Sequence, residues 1–285
     1  TMFIRDGRES SFPRTSPSIA MDMLHELPEV ESATRMVVPP EVEKHLVRYK
    51  EESFYEKDGY LVDSTFFDIF DYEFKEGDRA TALDGPSSVV LSETLADKIF
   101  KGQSPLDELL IINSGWSTDT FRITGVVRAP EKPSQVDASF YMSMNSRGWG
   151  DEISRIETWA WQNFLLTYVK LRPGIEASVI DSKMATMLEA KAGSILRESG
   201  VSKKLFLQPL LDVRLYSEFS NSFGSSENAK IEYVYILSTI AVFILLLACI
   251  NFMNLTTAKA SQRAGAVGVR KSLGATRFSL IKQCL

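Results

Sequence analysis

The sequence has few of the residues that reactive sites use. Its two cysteines, Cys249 and Cys284, both come after residue 248, so a domain formed by the earlier residues has no disulfide. The cysteines therefore do not indicate whether that domain is in an oxidising or a reducing compartment. Its two histidines, His25 and His45, have no cysteine nearby and show no metal-ligand spacing. We therefore expect ordinary histidines on a surface or a helix face, with no metal site.

Motifs for nucleotide binding and hydrolysis are missing as well. The segment GAVGVRKS, which begins at Gly265, is similar to a phosphate-binding loop, but Arg270 stands before Lys271 where that loop requires glycine. The segment also follows a hydrophobic helix instead of a buried strand. No Gly-x-Ser-x-Gly nucleophile motif occurs. The sequence therefore predicts no catalytic residue, no cofactor and no enzyme activity in this chain.

Acidic residues stop at Glu232. The chain has 32 basic and 37 acidic residues, and the first 232 positions contain all 37 acidic residues with 26 of the basic ones. This part therefore has a net charge of −11 and the remainder has +6. The basic residues of the remainder are Lys259, Arg263, Arg270, Lys271, Arg277 and Lys282. An acidic domain disfavours nucleic acid as a partner, and a basic segment beside an apolar run indicates membrane topology.

The apolar run over residues 233–258 contains no charged side chain. About 20 apolar residues cross a hydrocarbon core, so this run predicts a transmembrane helix in membrane lipid. Tyr233 and Tyr235 stand where an interfacial aromatic belt is expected, and the basic end is predicted to be cytoplasmic. Asn251 and Asn254 are expected either to bond to neighbouring helices or to lie in the interface.

The predicted orientation of the transmembrane helix leads to two further predictions about the chain. Residues 1–230 are expected to lie outside the inner membrane, yet residue 1 begins no signal peptide, so we expect an earlier transmembrane helix to precede them. At the other end, residues 259–285 are expected to be cytoplasmic. Thr276 is a possible cap for the start of the next span, which would include Phe278 and Leu285.

Hydrophobic spacing over residues 1–230 predicts a mixed α/β (α+β) extracytoplasmic domain with two subdomains, followed by the transmembrane helix. Helices are predicted from the Ser16-Pro17 cap to Pro28, over one aromatic turn capped by Ser64, and at 93–100 and 177–198. Strands are predicted at 30–38, 60–62, 88–91, 121–127, 138–144 and 164–171. The long helix is expected to bury Ile180, Met184, Met187, Leu188 and Ile195. Residues 217–230 are predicted to be a linker.

Several stretches resemble a known family. The end of the apolar run, with its Asn-x-x-Asn-Leu pattern, and the motif Gly268, Val269, Arg270, Lys271, Gly274, Ala275, Thr276 and Arg277 are similar to the FtsX-like ABC transporter permeases. Upstream, the stretches GYLVDSTFFDIFDYEF, SSVVLSETLADKIF and FRITGVVRAP look like the MacB-type periplasmic core domain. The resemblance covers nearly the whole chain.

The resemblance implies a permease subunit that relays ATP-driven movement to its periplasmic domain for export, or efflux, in the process called mechanotransmission. It implies an ABC ATPase partner, on a separate subunit or domain, and a second permease copy or paralogue as dimer partner. A periplasmic adaptor and an outer-membrane channel are further implied partners. The residues that it implies for ATPase coupling are Arg263, Gly268, Arg270, Lys271, Gly274 and Arg277.

Two adjacent positions depart from the family, and other functions stay open. Relatives carry Lys-Glu where this chain has Gly265 and Ala266, which removes a salt-bridge partner and predicts weakened coupling, or coupling through the second permease half. The alternative functions are a single-span receptor, which would need a signalling domain after the span, and a membrane-anchored enzyme. The substrate, the fusion of an ATPase domain and the type of dimer are not determined by the sequence.

Overall fold

The computed structural model describes residues 1–5, 7–37, 44–113, 117–128, 136, 138–213 and 231–274. The chain divides into two compact units, Thr1–Asn228 and Ala229–Leu285. Within the described residues, the strands all belong to the first unit, and the second unit is helical.

In the first unit, runs of one to four strands are separated by helices. The strands are β1 (Met2–Arg5), β2 (Arg8–Ser11), β3 (Arg14–Thr15), β4 (Val30–Val37), β5 (His45–Tyr49), β6 (Glu52–Glu56), β7 (Gly59–Val62), β8 (Phe74–Gly77), β9 (Ser88–Ser92), β10 (Leu109–Asn113), β11 (Thr118–Val127), β12 (Phe140–Ser143), β13 (Leu165–Leu171) and β14 (Ser202–Lys204). The helices are α1 (Pro17–Glu26), α2 (Phe66–Ile69), α3 (Glu93–Phe100), α4 (Trp149–Ser154), α5 (Ala177–Glu198) and, in the second unit, α6 (Ile231–Ser272); a 3-10 turn covers Leu210–Asp212.

The described strands form two sheets. A small sheet has the order β14-β1-β2, and all its pairs are antiparallel. The large sheet has the order β3-β13-β4-β7-β12-β9-β11-β10-β5-β6, with β8 paired to β11. Its pairs β7–β12 and β9–β11 are parallel and its others antiparallel. The predicted mixed α/β fold class is confirmed.

The central strands of the large sheet bury both faces. Successive strand residues point to opposite sides, so Val89 and Leu91 of β9 pack into one core while Val90 packs into another. The first core is covered by Leu95 and Ile99 of α3. The second is covered by the aromatic residues of α2. Helices on both faces explain why every residue of β7 and β12, and every residue of β9 except Ser92, is buried.

A third core lies between α1, α5 and β4. Ile19 and Met23 of α1 and Ile180 and Met184 of α5 are buried there around Trp159. The indole nitrogen of Trp159 donates to Asp22 Oδ2 at 2.6 Å, so the largest side chain of this core also has its polar atom paired. This core fixes α1 and α5 against the sheet edge formed by β4 and β13.

The sequence predicted the bounds of the longer helices correctly, but it did not predict every cap and strand end. The helices 93–100 and 177–198 have the predicted bounds, and α1 begins at Pro17 after Ser16 as predicted. The predicted cap of α2 was wrong, because its N-cap is Thr65, whose hydroxyl donates to the carbonyl oxygen of Ala33 at 2.6 Å. The predicted strand 30–38 ends at Val37, and residue 38 lies outside the described residues.

The buried stripe of α5 was also predicted wrongly at its end. Ile195 is 43% exposed, whereas Leu196 is 6% exposed. α5 contacts β14, and the buried residues near the end of the helix are Ala192 and Leu196. The predicted linker 217–230 lies outside the described residues.

Candidate membrane span and coupling segment

α6 is one continuous helix of 42 residues, from Ile231 to Ser272. At about 1.5 Å per residue it is about 63 Å long, roughly twice the thickness of a hydrocarbon core. The part that is long and apolar enough to cross a membrane is Tyr233–Gln262, and it is the one such helix in the described part of the chain. The helix therefore continues without a break from the apolar run into the basic segment.

The apolar side chains of this span are exposed. Phe243, Leu245 and Leu247 are each more than 60% exposed. The hydroxyls of Thr239 and Thr256 each donate to the carbonyl four residues earlier, at 2.8 Å. These bonds satisfy the hydroxyls within the helix, as a lipid environment requires. An apolar surface on every side is the pattern of a helix whose solvent is lipid or other helices.

The two glycines of the coupling motif have different structural roles. Gly268 lies inside α6, and a β-carbon there would meet no other atom within 4 Å. Gly274 has a φ of +91°, which an L side chain rarely adopts, and it follows the last hydrogen bond of the helix, from Leu273 N to Val269 O. Gly274 is therefore the residue that ends α6, and Gly268 leaves one side of it open for close contact.

For the charged residues of the motif, the structure describes at most the position of the backbone. Arg263, Arg270 and Lys271 belong to α6, but their side chains are not among the described ones. Arg277 and the predicted start of a further span at Thr276 lie outside the described residues. The coupling roles of these residues stay predictions.

The first unit has two buried titratable side chains, His45 and Lys203. The prediction of a surface or helix-face position was wrong for His45, which is 2% exposed on β5. Burial lowers the pKa of His45 to about 4, while a backbone hydrogen bond with Gly59 acts in the opposite direction. Burial also lowers the pKa of Lys203 to about 8, and its ammonium donates to the carbonyl of Trp159 and to Asn163 Oδ1. The partners of Lys203 are neutral oxygens, so it supports the fold. No periodic pattern in the sequence marks either residue.

The geometry can be compared with known proteins. The model of the MacB-like periplasmic core domain family matches residues 1–186. The chain is 22% identical over 263 residues to the macrolide export ATP-binding/permease protein MacB of Mannheimia succiniciproducens, covering 90% of this chain and 36% of that protein. It is 23% identical over 243 residues to the protein of the same name from Aggregatibacter actinomycetemcomitans, covering 82% and 33%. The chain thus spans about a third of the length of these relatives.

A solved structure supports the same fold. A domain of a protein described as a permease from Porphyromonas gingivalis superposes with a TM-score of 0.57 at 22% identity, covering 73% of this chain and 90% of that domain. At this identity the likeness supports the fold alone, and the family match covers well over half of the chain. The chain therefore belongs to the MacB-like periplasmic core domain family, as the periplasmic domain of an ABC transporter permease followed by a candidate transmembrane helix.

Proposed function

We propose that this chain is the part of an ABC transporter permease that couples ATP hydrolysis in the cytoplasm to movement of a periplasmic domain, for export or mechanotransmission. In this proposal residues 1–230 are periplasmic, residues 231–258 cross the inner membrane, and residues 259–285 reach an ABC ATPase. The ATPase is on a separate subunit or on another domain of the longer protein. A second permease copy or paralogue, a periplasmic adaptor and an outer-membrane channel complete the proposed assembly.

The observation that carries the proposal is the continuity of α6. A helix transmits a displacement along its axis only if no flexible joint interrupts it, and α6 runs unbroken from Ile231 to Ser272. Its length of about 63 Å exceeds the membrane core by several turns. The turns beyond the core, which begin near Lys259, then supply a rigid lever at the cytoplasmic surface.

The residue pattern of that lever fits contact with a protein partner. Arg263 and Arg270 are seven residues apart, which is close to two helical turns, so they occupy the same side of α6. Guanidinium groups in such a row pair well with carboxylates of an ATPase. Gly268 lies on roughly the opposite side of α6, where the missing side chain allows a second helix to approach closely. Gly265 and Ala266 stand where relatives carry Lys-Glu, so this segment lacks the acidic side chain of that pair. We therefore infer that the basic side chains provide most of the attraction between this segment and the ATPase.

The test uses the full-length permease, co-expressed with its ATPase and reconstituted in lipid nanodiscs. Charge reversal at Arg270→Glu with Lys271→Glu is expected to lower the copurified ATPase and its hydrolysis rate at least about tenfold, since each reversal turns an attraction into a repulsion. Gly268→Leu is expected to reduce hydrolysis through a steric block.

The matched control is Lys259→Glu, a reversal in the same basic segment but at the end of the apolar run. It is expected to leave ATPase binding unchanged, with equal membrane insertion for all variants. ATP hydrolysis that is unaffected by the Arg270 and Lys271 reversals, or an equal loss with Lys259→Glu, contradicts the proposed coupling surface.

A further inference from the structure

The two end strands of the large sheet differ in length and composition. At one end is β3, which has only two residues, and at the other is β6, which has five. β6 pairs with β5 along its whole length without a shift in register, and it contains no proline or lysine. Proteins protect sheet edges with short strands, bulges, prolines and lysines. In the described part of the chain, β6 is therefore a regular edge that lacks most of these devices.

The backbone of β6 points outward at Ser53 and Tyr55. A two-residue turn joins β5 to β6 and is flanked by the paired residues Tyr49 and Glu52. Such a turn closes with a hydrogen-bonded pair, and in an antiparallel ladder these pairs alternate with pairs whose amides point away from each other. The amide and carbonyl groups of Ser53 and Tyr55 therefore face the open edge. A strand that adds there gains main-chain hydrogen bonds without disturbing those between β5 and β6.

The core and α3 hold this edge in place. Phe54 of β6 packs on the first core, and Val47, its partner on β5, is completely buried there. The ammonium of Lys98 on α3 lies 5.8 Å from the centre of the Phe54 ring and also pairs with Glu56. A strand that is already fixed loses little conformational entropy when it binds a partner.

The outer face of the edge combines apolar side chains with a cation. Arg48 of β5 lies opposite Ser53 of β6 on one side and Ile111 of β10 on the other. Tyr55 is 67% exposed and Ile111 is 37% exposed. Arg48 is exposed as well, and it has no hydrogen bond or ion pair with another described residue. Because Ser53 is small and neighbouring strands are about 4.8 Å apart, the long side chain of Arg48 can reach across it to the edge.

The charge pattern disfavours a second copy of β6 as the added strand. In a symmetric antiparallel pair of β6 strands, Glu52 of each copy would lie opposite Glu56 of the other. Like charges directly opposite each other destabilise a sheet. Such a pair would also supply no acidic group to Arg48. The complementary strand instead has an acidic residue opposite Ser53, an apolar residue opposite Tyr55 and a basic residue opposite Glu52.

We propose that an extended segment of a partner protein adds to the large sheet beside β6, with an acidic side chain at Arg48 and an apolar side chain on Tyr55. A basic side chain of the same segment faces Glu52. Main-chain hydrogen bonds with β6 supply affinity, and the side-chain contacts supply specificity. This surface belongs to the first unit, so its role goes beyond coupling to an ATPase and does not depend on it.

The probe is a cyclic β-hairpin peptide whose free strand reads Thr-Ile-Val-Glu-Lys, with fluorescein on the other strand. It is titrated into the full-length protein in phosphatidylcholine nanodiscs and followed by fluorescence anisotropy. Antiparallel to β6, the free strand places its Ile opposite Tyr55, its Glu opposite Ser53 and its Lys opposite Glu52. We expect saturable binding below about 1 mM. The same peptide with N-methyl groups on Ile and Glu is expected to bind at least about tenfold more weakly, because it cannot donate to β6.

Charge reversal tests the contact with Arg48. Arg48→Glu is expected to weaken binding of the probe about tenfold, and to restore the binding of a second probe whose Glu is replaced by Lys. Tyr55→Ser is expected to weaken binding several-fold, because it removes the apolar contact. The matched control is Arg122→Glu, the same reversal at an exposed arginine of β11, three strands away from the edge. It is expected to leave binding unchanged.

Ser53→Pro tests strand addition itself. Proline removes the outward amide of Ser53 and none of the hydrogen bonds to β5, so urea unfolding is expected to stay close to that of the parent protein while probe binding falls at least about tenfold. Absence of saturable binding, binding that survives N-methylation of the probe, or an equal loss in Arg122→Glu overturns the proposal. Oxidative cross-linking between two Ser53→Cys copies that lack Cys249 and Cys284 would assign the edge to a second copy, and this result also overturns the proposal.

Discussion

Arg35 and Asp63 join β4 to the end of β7 through a pair of parallel hydrogen bonds. Arg35 Nε lies 2.9 Å from Asp63 Oδ2 and the outer guanidinium nitrogen lies 2.8 Å from Oδ1, with both side chains 13% exposed. The backbone amide of Arg35 also donates to Asp63 Oδ2 at 2.7 Å. β4 and β7 share only two paired positions, Met36–Val62 and Val37–Leu61, so this ion pair extends a short contact in the middle of the large sheet.

The first prediction concerns this ion pair. Asp63→Ala leaves a nearly buried guanidinium and a backbone amide without their acceptor, so we expect a loss of about 3 kcal/mol in the free energy of unfolding. The measurement is urea unfolding followed by tryptophan fluorescence, since all four tryptophans lie in residues 1–228. The control is Glu152→Ala, which breaks the exposed pair with Arg155 and is expected to have no measurable effect. Equal unfolding curves for the two variants would show that the Arg35–Asp63 pair is dispensable.

The second prediction concerns the response to acid. Burial lowers the pKa of His45 to about 4 from an ordinary value of 6.5, so between these values the unfolded chain binds a proton that the folded chain does not. The contribution of His45 is therefore complete above pH 6.5 and is lost as the pH falls toward 4, with a total of about 3 kcal/mol. Urea unfolding between pH 7 and pH 4.5 measures this slope.

The second histidine provides the control for that slope. His45→Gln is expected to flatten the pH dependence of stability, because the new side chain does not titrate. His25 is exposed on α1, so His25→Gln is expected to keep the slope of the parent protein. A parent slope that survives in His45→Gln would assign the acid sensitivity to other groups.

The third prediction concerns the aromatic core under α2. Phe66 is fully buried, with ring centroids 4.7 Å from Phe70 and 5.1 Å from Tyr141. Phe66→Ala leaves a cavity among rings that cannot close it, and we expect a loss of about 4 kcal/mol. The control is Tyr55→Ala on β6, where the side chain is 67% exposed and the expected change is small. A similar loss in both variants, measured by the same urea unfolding, would rule out a specific role of this core.

The fourth prediction concerns Lys203. Its ammonium donates to the carbonyls of Trp159 and Ala160 and to Asn163, so Lys203→Met leaves these oxygens unpaired and is expected to cost about 2 kcal/mol at pH 7. Because burial lowers its pKa from 10.5 to about 8, the unfolded chain binds more protons between these values. Stability of the parent protein should therefore rise between pH 8 and pH 10 relative to that of Lys203→Met.

The adjacent lysine is the control for this prediction. Lys204 is exposed on the same strand, so Lys204→Met is expected to keep both the stability and its pH dependence. If Lys203→Met and Lys204→Met unfold alike at pH 7 and pH 10, the ammonium of Lys203 does not support the segment around Trp159.

The sequence predicted elements that carry their own local signals. α3 has a serine cap, whose hydroxyl accepts from Leu95 N at 3.3 Å, and an amphipathic pattern, so its bounds could be predicted from eight residues. Two of the missed strands are short and polar. β2 reads RESS and β14 reads SKK, and such segments become strands only because a neighbouring strand pairs with them.

The sequence by itself determined the fold class, the apolar span and the direction of the charge asymmetry, because composition and periodicity are properties of consecutive residues. Tertiary structure alone decided that α6 passes Gly268 without a break and ends at Gly274, and that Arg35 meets Asp63. It also decided that Arg5 and Arg8 stand side by side next to the stacked rings of Phe3 and Trp161. These relationships depend on strand register and on packing between segments up to 158 residues apart. Local spacing of residue types does not reveal which distant segments come into contact.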